Sequence, residues 1–389
     1  MQLLGGLSPQ QFLQDYWQKQ PLLIRQAIPG FISPLTPDEL AGLACEATVE
    51  SRIVLEQSGE QPWQLEQGPF TEARFASLPE THWTLLVQKV NQWVPDVATL
   101  LDQFDFIPGW RLDDIMVSYA AEQGSVGPHT DQYDVFLLQG LGQRRWQIDP
   151  GAQAGAPLLD HPDLCILRDF KAEQEWCLDP GDMLYLPPGL AHYGVSQGEG
   201  MTYSVGFRAP ACSELISSWV DDVIALLPDS LRYTDRDLSV PVHPGEIDPA
   251  ALRRVRDILR QRLVDDDQMN RWFGRYITES GNTEQPAAGV EDISTETFLT
   301  RLRQAGGLQR SEFSRYAFIR QTDRVLLYVD GEEYFLSASQ AAFASLLCDQ
   351  RHYLAVELQP YLEDATSLSL LTELFNRGAL VLPDECVQH

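Results

Sequence analysis

The stretch Leu178-Asp-Pro-Gly-Asp182-Met-Leu-Tyr-Leu186-Pro-Pro-Gly-Leu-Ala-His192 decides the fold of this chain. A turn at 178–182 leads into a short apolar strand, and the Pro-Pro-Gly turn after it delivers His192 to the start of another strand. Similar short strands, separated by turns that contain Gly and Pro, are predicted at 114–119, 135–139, 145–148 and 202–207. The pattern favours a β-sandwich or a β-barrel.

A second histidine lies upstream, in Gly127-Pro-His129-Thr-Asp131-Gln-Tyr133-Asp. Residues i and i+2 of a strand share a face, so His129, Asp131 and Tyr133 are expected to point into the barrel together. His129, Asp131 and His192 then form the two-histidine, one-carboxylate set that binds Fe(II) in non-haem oxygenases. The alternative for His192 is a histidine hydrogen-bonded within a turn.

The chain contains the same His-x-Asp spacing a second time, in His161-Pro162-Asp163. This copy lies in the loop-like stretch Leu159-Asp-His161-Pro-Asp163-Leu-Cys, which a proline interrupts. We therefore expect His161 to be a surface loop histidine rather than a metal ligand.

Arg144 lies in Gly142-Gln-Arg144-Arg145-Trp146, where Arg144 and Trp146 share one face of a strand and Arg145 takes the other. An arginine that points into an apolar barrel needs an anion, because an unpaired buried charge is costly. A dicarboxylate cosubstrate would supply that anion. The alternation of side chains along the strand does not say which face is the inner one, so the opposite arrangement stays open, with Arg144 in solvent and Arg145 inside.

Three regions follow one another along the chain. Residues 1–208 are rich in strands and turns, and Ser8 and Pro9 mark the start of a first helix. Residues 209–284 carry apolar residues at helical spacing, which are buried either within the chain or against a second copy. Residues 285–389 combine helices with a hairpin that turns at Asp330-Gly331, which predicts a winged-helix-like module.

The composition is that of a folded soluble protein with a strongly acidic surface. Asp and Glu number 56 against 28 Lys and Arg, which gives a net charge of −28. Such a field repels nucleic acid and attracts basic partners, although acidity also serves solubility alone. No apolar run approaches membrane length, the start lacks the features of a signal peptide, and no Cys-x-x-Cys is present. We expect a cytoplasmic protein without membrane contact.

Taken together, these motifs and the segment Tyr203-Ser-Val-Gly-Phe207-Arg-Ala-Pro resemble the JmjC-domain ribosomal oxygenases, notably their bacterial branch. The resemblance covers nearly the whole chain. It implies a double-stranded β-helix (cupin-type) core, a helical dimerisation region and a winged-helix-like C-terminal domain. It also implies Fe(II), with 2-oxoglutarate and O2 as cosubstrates, and β-hydroxylation of an arginine of ribosomal protein L16 by a homodimer.

Site residues are carried over from the resemblance by motif. It implies that His129, Asp131 and His192 bind iron and that Arg144 binds the distal carboxylate of 2-oxoglutarate. Weaker assignments place Ser118 and Ser204 on the cosubstrate, and Asp114 and Tyr133 on the substrate arginine. Asp114, Met116 and Ser118 alternate onto one strand face, which fits inward positions for Asp114 and Ser118. The alternative for Asp114 is a surface residue at a strand start.

Other functions remain open on the sequence alone. Within the same class, the enzyme could hydroxylate histidine or demethylate lysine. In other classes, the chain could be an inert metal-binding module, or a regulator with a cupin sensor and a winged helix that reads DNA. The acidic C-terminal region disfavours contact with phosphates, so no direct DNA binding is expected.

Overall fold

A computed structural model describes residues 2–56, 62–152, 155–279 and 292–383 of the chain. The chain divides into two compact units, with the break between Ala209 and Pro210. The polar stretch 279–289, whose composition predicts a linker, lies outside the described residues from residue 280 onward. No helix among the described residues is long and apolar enough to cross a membrane.

The first unit is built on antiparallel strands. Its strands are β1 (Leu22–Ile24), β2 (Ser51–Glu56), β3 (Trp63–Gln67), β4 (Trp83–Val87), β5 (Leu112–Ala120), β6 (Val135–Asp149), β7 (Gln174–Leu178), β8 (Met183–Leu186) and β9 (Ala191–Phe207). They join in the order β1-β8-β6-β9-β5-β4-β2-β3, and β7 pairs with β6 beyond β8. This large antiparallel sheet confirms the predicted cupin/JmjC-type architecture.

Two long strands, β6 and β9, form the backbone of this sheet. They pair from Val135↔Gly206 to Asp149↔Ala191, and β6 also pairs with β8 at one end and β7 at the other. The two strands expected at 135–139 and 145–148 are therefore halves of one strand.

An irregularity in the middle of β6 reverses which residues face inward. The register with β9 shifts twice between Gln139 and Gln143. Gly142 has a φ of +63° there, and a Cβ on it would lie 1.9 Å from the carbonyl oxygen of Glu199. Odd residues before the shift and even residues after it therefore share one face.

Each face of β6 and β9 has its own apolar packing. The outer face presents Phe136, Leu138, Tyr203, Val205 and Phe207 to a large core that also contains Phe12 and Leu40. The inner face presents Val135, Leu137, Trp146 and Ile148 to a smaller core.

Short helices surround the sheet of the first unit. They are α1 (Pro9–Asp15), α2 (Pro37–Leu43), α3 (Glu72–Ala76), α4 (Val90–Trp93) and α5 (Pro95–Ala98), with 3-10 turns at Gln2–Leu4, Thr99–Phe104 and Gly109–Arg111. As predicted, α1 begins at Pro9 after Ser8, whose hydroxyl accepts from the Gln11 amide at 3.2 Å.

The second unit begins with three helices and continues into a mixed α/β module. Its helices are α6 (Cys212–Leu226), α7 (Pro249–Leu263), α8 (Asp266–Thr278), α9 (Thr295–Ala305), α10 (Ala341–Asp349), α11 (Ala355–Leu362) and α12 (Ala365–Asn376), with a 3-10 turn at Ala338–Gln340. Its strands are β10 (Gly307–Arg310), β11 (Tyr316–Arg320), β12 (Arg324–Val329), β13 (Glu332–Ser337), β14 (His352–Leu354) and β15 (Leu380–Val381). The predicted turn is present, because Asp330 and Gly331 have φ of +51° and +82° between β12 and β13.

Helix α8 packs against the sheet β11-β12-β13. Arg271 pairs with Glu333 at 2.6 Å, and a Cβ on Gly274 would meet the ring of Tyr328 at 2.3 Å. The sequence region assigned to dimerisation thus includes a helix that packs against this sheet. In contrast, no residue of α7 is buried.

Candidate metal and cosubstrate site

The first unit contains a cavity of 470 Å³ on the inner face of its sheet. All eight side chains predicted to form the site line it: His129, Asp131, His192, Arg144, Ser118, Ser204, Asp114 and Tyr133. The second His-x-Asp motif, His161-Pro162-Asp163, is called the decoy motif below. Its loop forms part of the cavity wall through residues 163–166, whereas His161 itself is not a lining residue.

His129, Asp131 and His192 converge at one point of this cavity. Their potential ligand atoms all lie within 4.8 Å of one another. Asp131 Oδ1 is 3.8 Å from His129 Nε2, and Asp131 Oδ2 is 3.6 Å from His192 Nε2. One carboxylate between two imidazole nitrogens is the donor set expected for Fe(II).

Each histidine is oriented by a bond to its own backbone neighbourhood. Nδ1 of His129 lies 2.9 Å from the carbonyl oxygen of Gly127, and Nδ1 of His192 lies 2.9 Å from that of Leu190. A carbonyl can only accept, so Nδ1 carries the proton and Nε2 is left with its lone pair facing Asp131. Both imidazoles are thus held in the tautomer that binds a metal.

The reason for this convergence differs from the expected one. The segment 130–134 lies outside any strand, because β6 begins only at Val135. His129 instead pairs with His192 in an isolated antiparallel bridge, with backbone bonds of 3.0 and 2.9 Å in the two directions. The amide of Gly189 donates to the carbonyl of Asp131 at 2.6 Å, which ties the Pro-Pro-Gly turn to the same segment.

Asp134, which the sequence reasoning missed, anchors the far end of this segment. It is fully buried and accepts from Tyr185 at 2.6 Å, Gln18 at 2.9 Å and Arg111 at 3.3 Å. A motif reading gives no signal for such a residue, since its partners are distant in the sequence.

Burial sets the protonation of the most enclosed ligand. Desolvation, together with the neighbouring His129, lowers the pKa of His192 to about 4, against the opposing effect of Asp131. The imidazole is therefore neutral at pH 7 and free to bind a cation without first losing a proton.

Arg144 faces inward, as the register shift of β6 requires. It is 3% exposed, its Nη2 donates to the carbonyl of Gly194 at 3.2 Å, and its guanidinium lies 5.0 Å from the ring centroid of Trp146. Its Nε has no hydrogen-bond partner among the described residues. Burial lowers the pKa of Arg144 to about 10, so the group is still a cation at pH 7. A buried cation with an unused donor fits the carboxylate of a dicarboxylic acid.

The strand β5 presents its predicted face to the cavity. Asp114, Met116 and Ser118 all line it. Asp114 accepts from the amide of Lys89 at 2.9 Å, and Ser118 and Ser204 are buried, with Ser118 opposite Thr202 in the sheet. Asp114 is therefore a wall residue of the cavity rather than a surface residue at a strand start.

Tyr133 lies at the open side of the cavity, with 42% of its surface exposed. Burial of part of the ring, with the charges of Asp131 and Asp114, raises the pKa of Tyr133. Its hydroxyl remains protonated and can donate a hydrogen bond to a bound substrate.

Thr84 is a second residue that the sequence reasoning missed. It lies on β4, is fully buried, lines the cavity, and its hydroxyl has no hydrogen-bond partner among the described residues. An unpaired buried hydroxyl costs free energy, which a bound polar ligand would recover. The strand β4 (Trp83–Val87) is not among the strands that the sequence predicts, because no candidate site motif lies next to it.

Comparisons with known proteins agree with this geometry. A JmjC domain model matches residues 99–215, and a ROXA-like winged helix model matches residues 259–381. The ribosomal protein uL16 3-hydroxylase of Escherichia coli K12 is 36% identical over 94% of this chain and 95% of its own length. A probable ribosomal oxygenase of Haemophilus influenzae is 32% identical over 84% of this chain and 82% of its own.

Solved structures extend the likeness to three dimensions. The X-ray structure of E. coli YcfD matches with a TM-score of 0.88 at 36% identity, covering 97% of this chain and 98% of that one. A structure of YcfD in complex with cobalt and 2-oxoglutarate matches with a TM-score of 0.83 at 35% identity, over the same shares of the two chains.

Proposed function

Because this chain belongs to the JmjC-domain ribosomal oxygenases, we propose that it is an Fe(II)- and 2-oxoglutarate-dependent oxygenase that hydroxylates an arginine of ribosomal protein uL16. The observation that carries the proposal is the triad His129, Asp131 and His192 beside the buried cation of Arg144 in one cavity. A metal alone would not need Arg144, and an anion alone would not need the triad.

The residues of the site divide into two groups by what they would hold. His129, Asp131 and His192 would bind Fe(II), and Arg144 would pair with the distal carboxylate of 2-oxoglutarate, with Ser118, Ser204 and Thr84 as further hydrogen-bonding groups. The iron and cosubstrate supply the oxidant that turns a C–H bond into C–OH, while 2-oxoglutarate and O2 become succinate, CO2 and the inserted oxygen.

The opposite side of the cavity suits a basic side chain. Asp114 is held in place by the Lys89 amide, and Tyr133 keeps its proton beside it. A carboxylate can pair bidentately with a guanidinium, and a phenol can stack on it or donate to a backbone carbonyl. Arginine is therefore the substrate side chain that we assign, with hydroxylation at its β-carbon as in the family.

The net charge of −28 supports a basic protein as the partner. Ribosomal proteins are basic, and electrostatic attraction speeds the encounter of opposite charges. We place this reaction in the cytoplasm, where ribosomal proteins are found.

We further propose that the protein acts as a homodimer with residues 1–208 as the catalytic domain, 209–284 as the dimerisation region and 285–389 as the winged-helix-like domain. Apolar residues of α7 support the dimer, since Leu252, Val255, Ile258 and Leu259 are all exposed. Exposed apolar stripes of this kind commonly mark protein–protein interfaces.

The second unit is acidic, since Asp and Glu clearly outnumber Arg in residues 210–385 and no Lys is present there. Five of its arginines also have acidic partners: Arg271 with Glu333, Arg275 with Asp222, Arg324 with Asp267, Arg351 with Glu312, and Arg377 with Glu332. We therefore favour a role in protein contact for the winged-helix-like unit over a role as a DNA reader.

The triad is tested by Asp131→Ala in the full-length protein. The variant should lose succinate formation with Fe(II), 2-oxoglutarate and a uL16 segment, because two imidazoles alone do not hold the ion at one face. Mass spectrometry of the segment should show a gain of 16 Da with the wild type alone. Turnover by the variant near the wild-type rate would contradict the assignment.

Asp114→Ala separates substrate binding from cosubstrate turnover. Hydroxylation of the segment should fall by one to two orders of magnitude, because an ion pair to the guanidinium is lost. Uncoupled succinate formation without the segment should fall much less. Equal loss of both activities would place Asp114 in a different role.

A further inference from the structure

The side chains of His161-Pro162-Asp163 are not among the three that form the metal cluster, yet His161 makes hydrogen bonds within its own loop. His161 Nδ1 accepts from the amide of Asp163 at 3.1 Å and from the amide of Leu164 at 2.9 Å. Nδ1 therefore acts as the acceptor that holds this turn together. The arrangement is that of a side chain closing a turn of its own backbone.

The loop that contains this turn is fixed at its base. Leu158 and Leu167 form an antiparallel bridge, and the Leu159 amide donates to the carbonyl of Ile166 at 2.8 Å. The Leu167 amide donates to the carbonyl of Pro128 at 2.7 Å, directly before His129. Ile166 is buried in a core with Val54, Trp63 and Leu86 of the sheet. The loop is therefore attached to the same framework as the metal cluster.

The tip of the loop forms a wall of the cavity. Asp163, Leu164, Cys165 and Ile166 all line it, and Asp163 is the one acid among them. Within the described residues the carboxylate of Asp163 has no ion pair or hydrogen bond, whereas Asp114 and Asp131 have partners. Asp163 is exposed and also lines the cavity, so it lies at the cavity mouth. A polypeptide whose side chain enters the cavity would pass close to it.

From these contacts we propose that Asp163 is a specificity-determining residue that pairs with a second cationic side chain of the substrate polypeptide, next to the one that enters the cavity. His161 is the positioning residue, because its acceptor bonds fix the backbone that carries Asp163. The inference rests on the proposed function, in that the substrate is a basic protein. It assigns to the decoy motif a role in choosing that substrate.

The expected size of the effect follows from the exposure of Asp163. An exposed ion pair changes an affinity by about fivefold, and more when its groups are partly shielded. The contact would therefore not decide whether turnover occurs. It would favour arginines flanked by Lys or Arg over arginines in neutral sequence.

The test compares Asp163→Asn with Asp160→Asn in the full-length protein. Both changes remove one negative charge from the same loop, but Asp160 is exposed and does not line the cavity. The probes are a synthetic uL16 segment with Lys placed on both sides of an arginine, which is the basic segment, and the same segment with Gln at those places, which is the neutral one. Binding is measured by fluorescence anisotropy, and hydroxylation by mass spectrometry.

Asp163→Asn should raise Kd and KM for the basic segment about fivefold, with a smaller change in kcat. It should have much less effect on the neutral segment, because the partner cation is gone. Asp160→Asn should behave as the wild type with both segments. Equal effects of Asp163→Asn on the two segments, or equal effects of the two variants, would overturn the proposal.

His161 is tested by two substitutions that differ only in the acceptor. Asn places a side-chain oxygen where it can accept from the amides two and three residues on, and Ala cannot. His161→Ala should therefore raise KM for the basic segment as Asp163→Asn does, and His161→Asn should restore it. Failure of Asn to restore KM, with both variants folded by circular dichroism, would remove His161 from the argument.

The outcomes also separate this inference from the proposed function. A wild type that binds the basic segment without hydroxylating it would refute the function, while the comparison of Kd values would still decide the role of Asp163. A wild type that hydroxylates both segments equally well, with Asp163→Asn unchanged, would refute the inference alone. A wild type that binds neither segment would refute both.

Discussion

At the scale of single residues, the site is set by hydrogen bonds that leave particular atoms free. Both histidines use Nδ1 on a carbonyl two residues earlier, which leaves both Nε2 atoms for a metal. Arg144 is the opposite case, since its buried Nε has no partner among the described residues. The site is therefore already arranged for its ligands, and the free energy of that arrangement is recovered only when they bind.

Arg144→Met tests this cost directly. Removing a buried cation should raise the free energy of unfolding of the metal-free protein by about 1–3 kcal/mol, because burial already lowers the pKa of Arg144 to about 10. The same variant should lose the stabilisation that 2-oxoglutarate with Mn(II) gives the wild type, which is about 3 kcal/mol at a hundredfold excess over Kd.

Differential scanning calorimetry with EDTA, and then with Mn(II) and 2-oxoglutarate, measures both effects. Arg144→Lys is the control, since it keeps a cation and should gain no stability of this size. A metal-free Met variant that melts below the wild type would contradict the assignment of Arg144 as an unsatisfied cation.

At the scale of elements, the decisive features are the irregularities of two strands. The shift between Gln139 and Gln143 turns Arg144 and Trp146 onto the face that Val135 and Leu137 occupy earlier in β6. Opposite Trp146, strand β9 has Gly194, and the two side chains from β6 lie over it. The position of Arg144, which we propose binds the cosubstrate, thus depends on the irregular register of β6 and on the absence of a side chain at Gly194 of β9.

Gly194→Ala should displace Arg144 from this position. The new Cβ would lie 2.6 Å from Cζ3 of Trp146 and 2.7 Å from Nε of Arg144, both too close for a real contact. KM for 2-oxoglutarate should rise about tenfold or more, since strain of this kind costs about 1–3 kcal/mol. Gly109→Ala is the control, because nothing lies within 4 Å of the added atom.

Initial rates of succinate formation at varied 2-oxoglutarate, with Fe(II) saturating, give the two KM values. An unchanged KM in Gly194→Ala would show that Arg144 tolerates a shift, and the role of β9 as its support would then be wrong.

At the scale of the whole molecule, the chain forms two compact units that differ in what they contain. The first contains the cavity, and the second combines α6 and α7 with a mixed α/β module in which Arg271 and Arg275 have acidic partners. An exposed apolar stripe on α7 has no cover within the described part of the chain. A second copy is the occupant that we propose for it.

Val255→Glu combined with Leu259→Glu should turn the dimer into a monomer, because two charges would be buried at the contact. Light scattering coupled to size-exclusion chromatography should give a mass near 43.8 kDa instead of twice that value. Arg253→Glu combined with Gln261→Glu, on the other side of α7, is the control and should remain a dimer. A wild type of monomer mass would refute the dimer outright.

The sequence by itself determined the chemistry of the site, because the types of residue and their spacing limit which ligands can bind. Two histidines and an aspartate in turn-bounded strands indicated a metal, and Arg144 with Trp146 indicated an anion. It also determined the start of α1 and the turn at Asp330-Gly331, where local backbone and capping preferences act within a few residues.

Only the tertiary structure decided that Arg144 points into the cavity and Arg145 away from it. The alternation of side chains along a strand allows either arrangement, and the register shift between Gln139 and Gln143 selects one of them. The same holds for Thr84 and Asp134, whose roles come from burial and from partners far away in the chain. It also replaced the expected strand at 130–134 with a bridge between His129 and His192. Long-range pairing, rather than local periodicity, brings the three metal-binding side chains to one point.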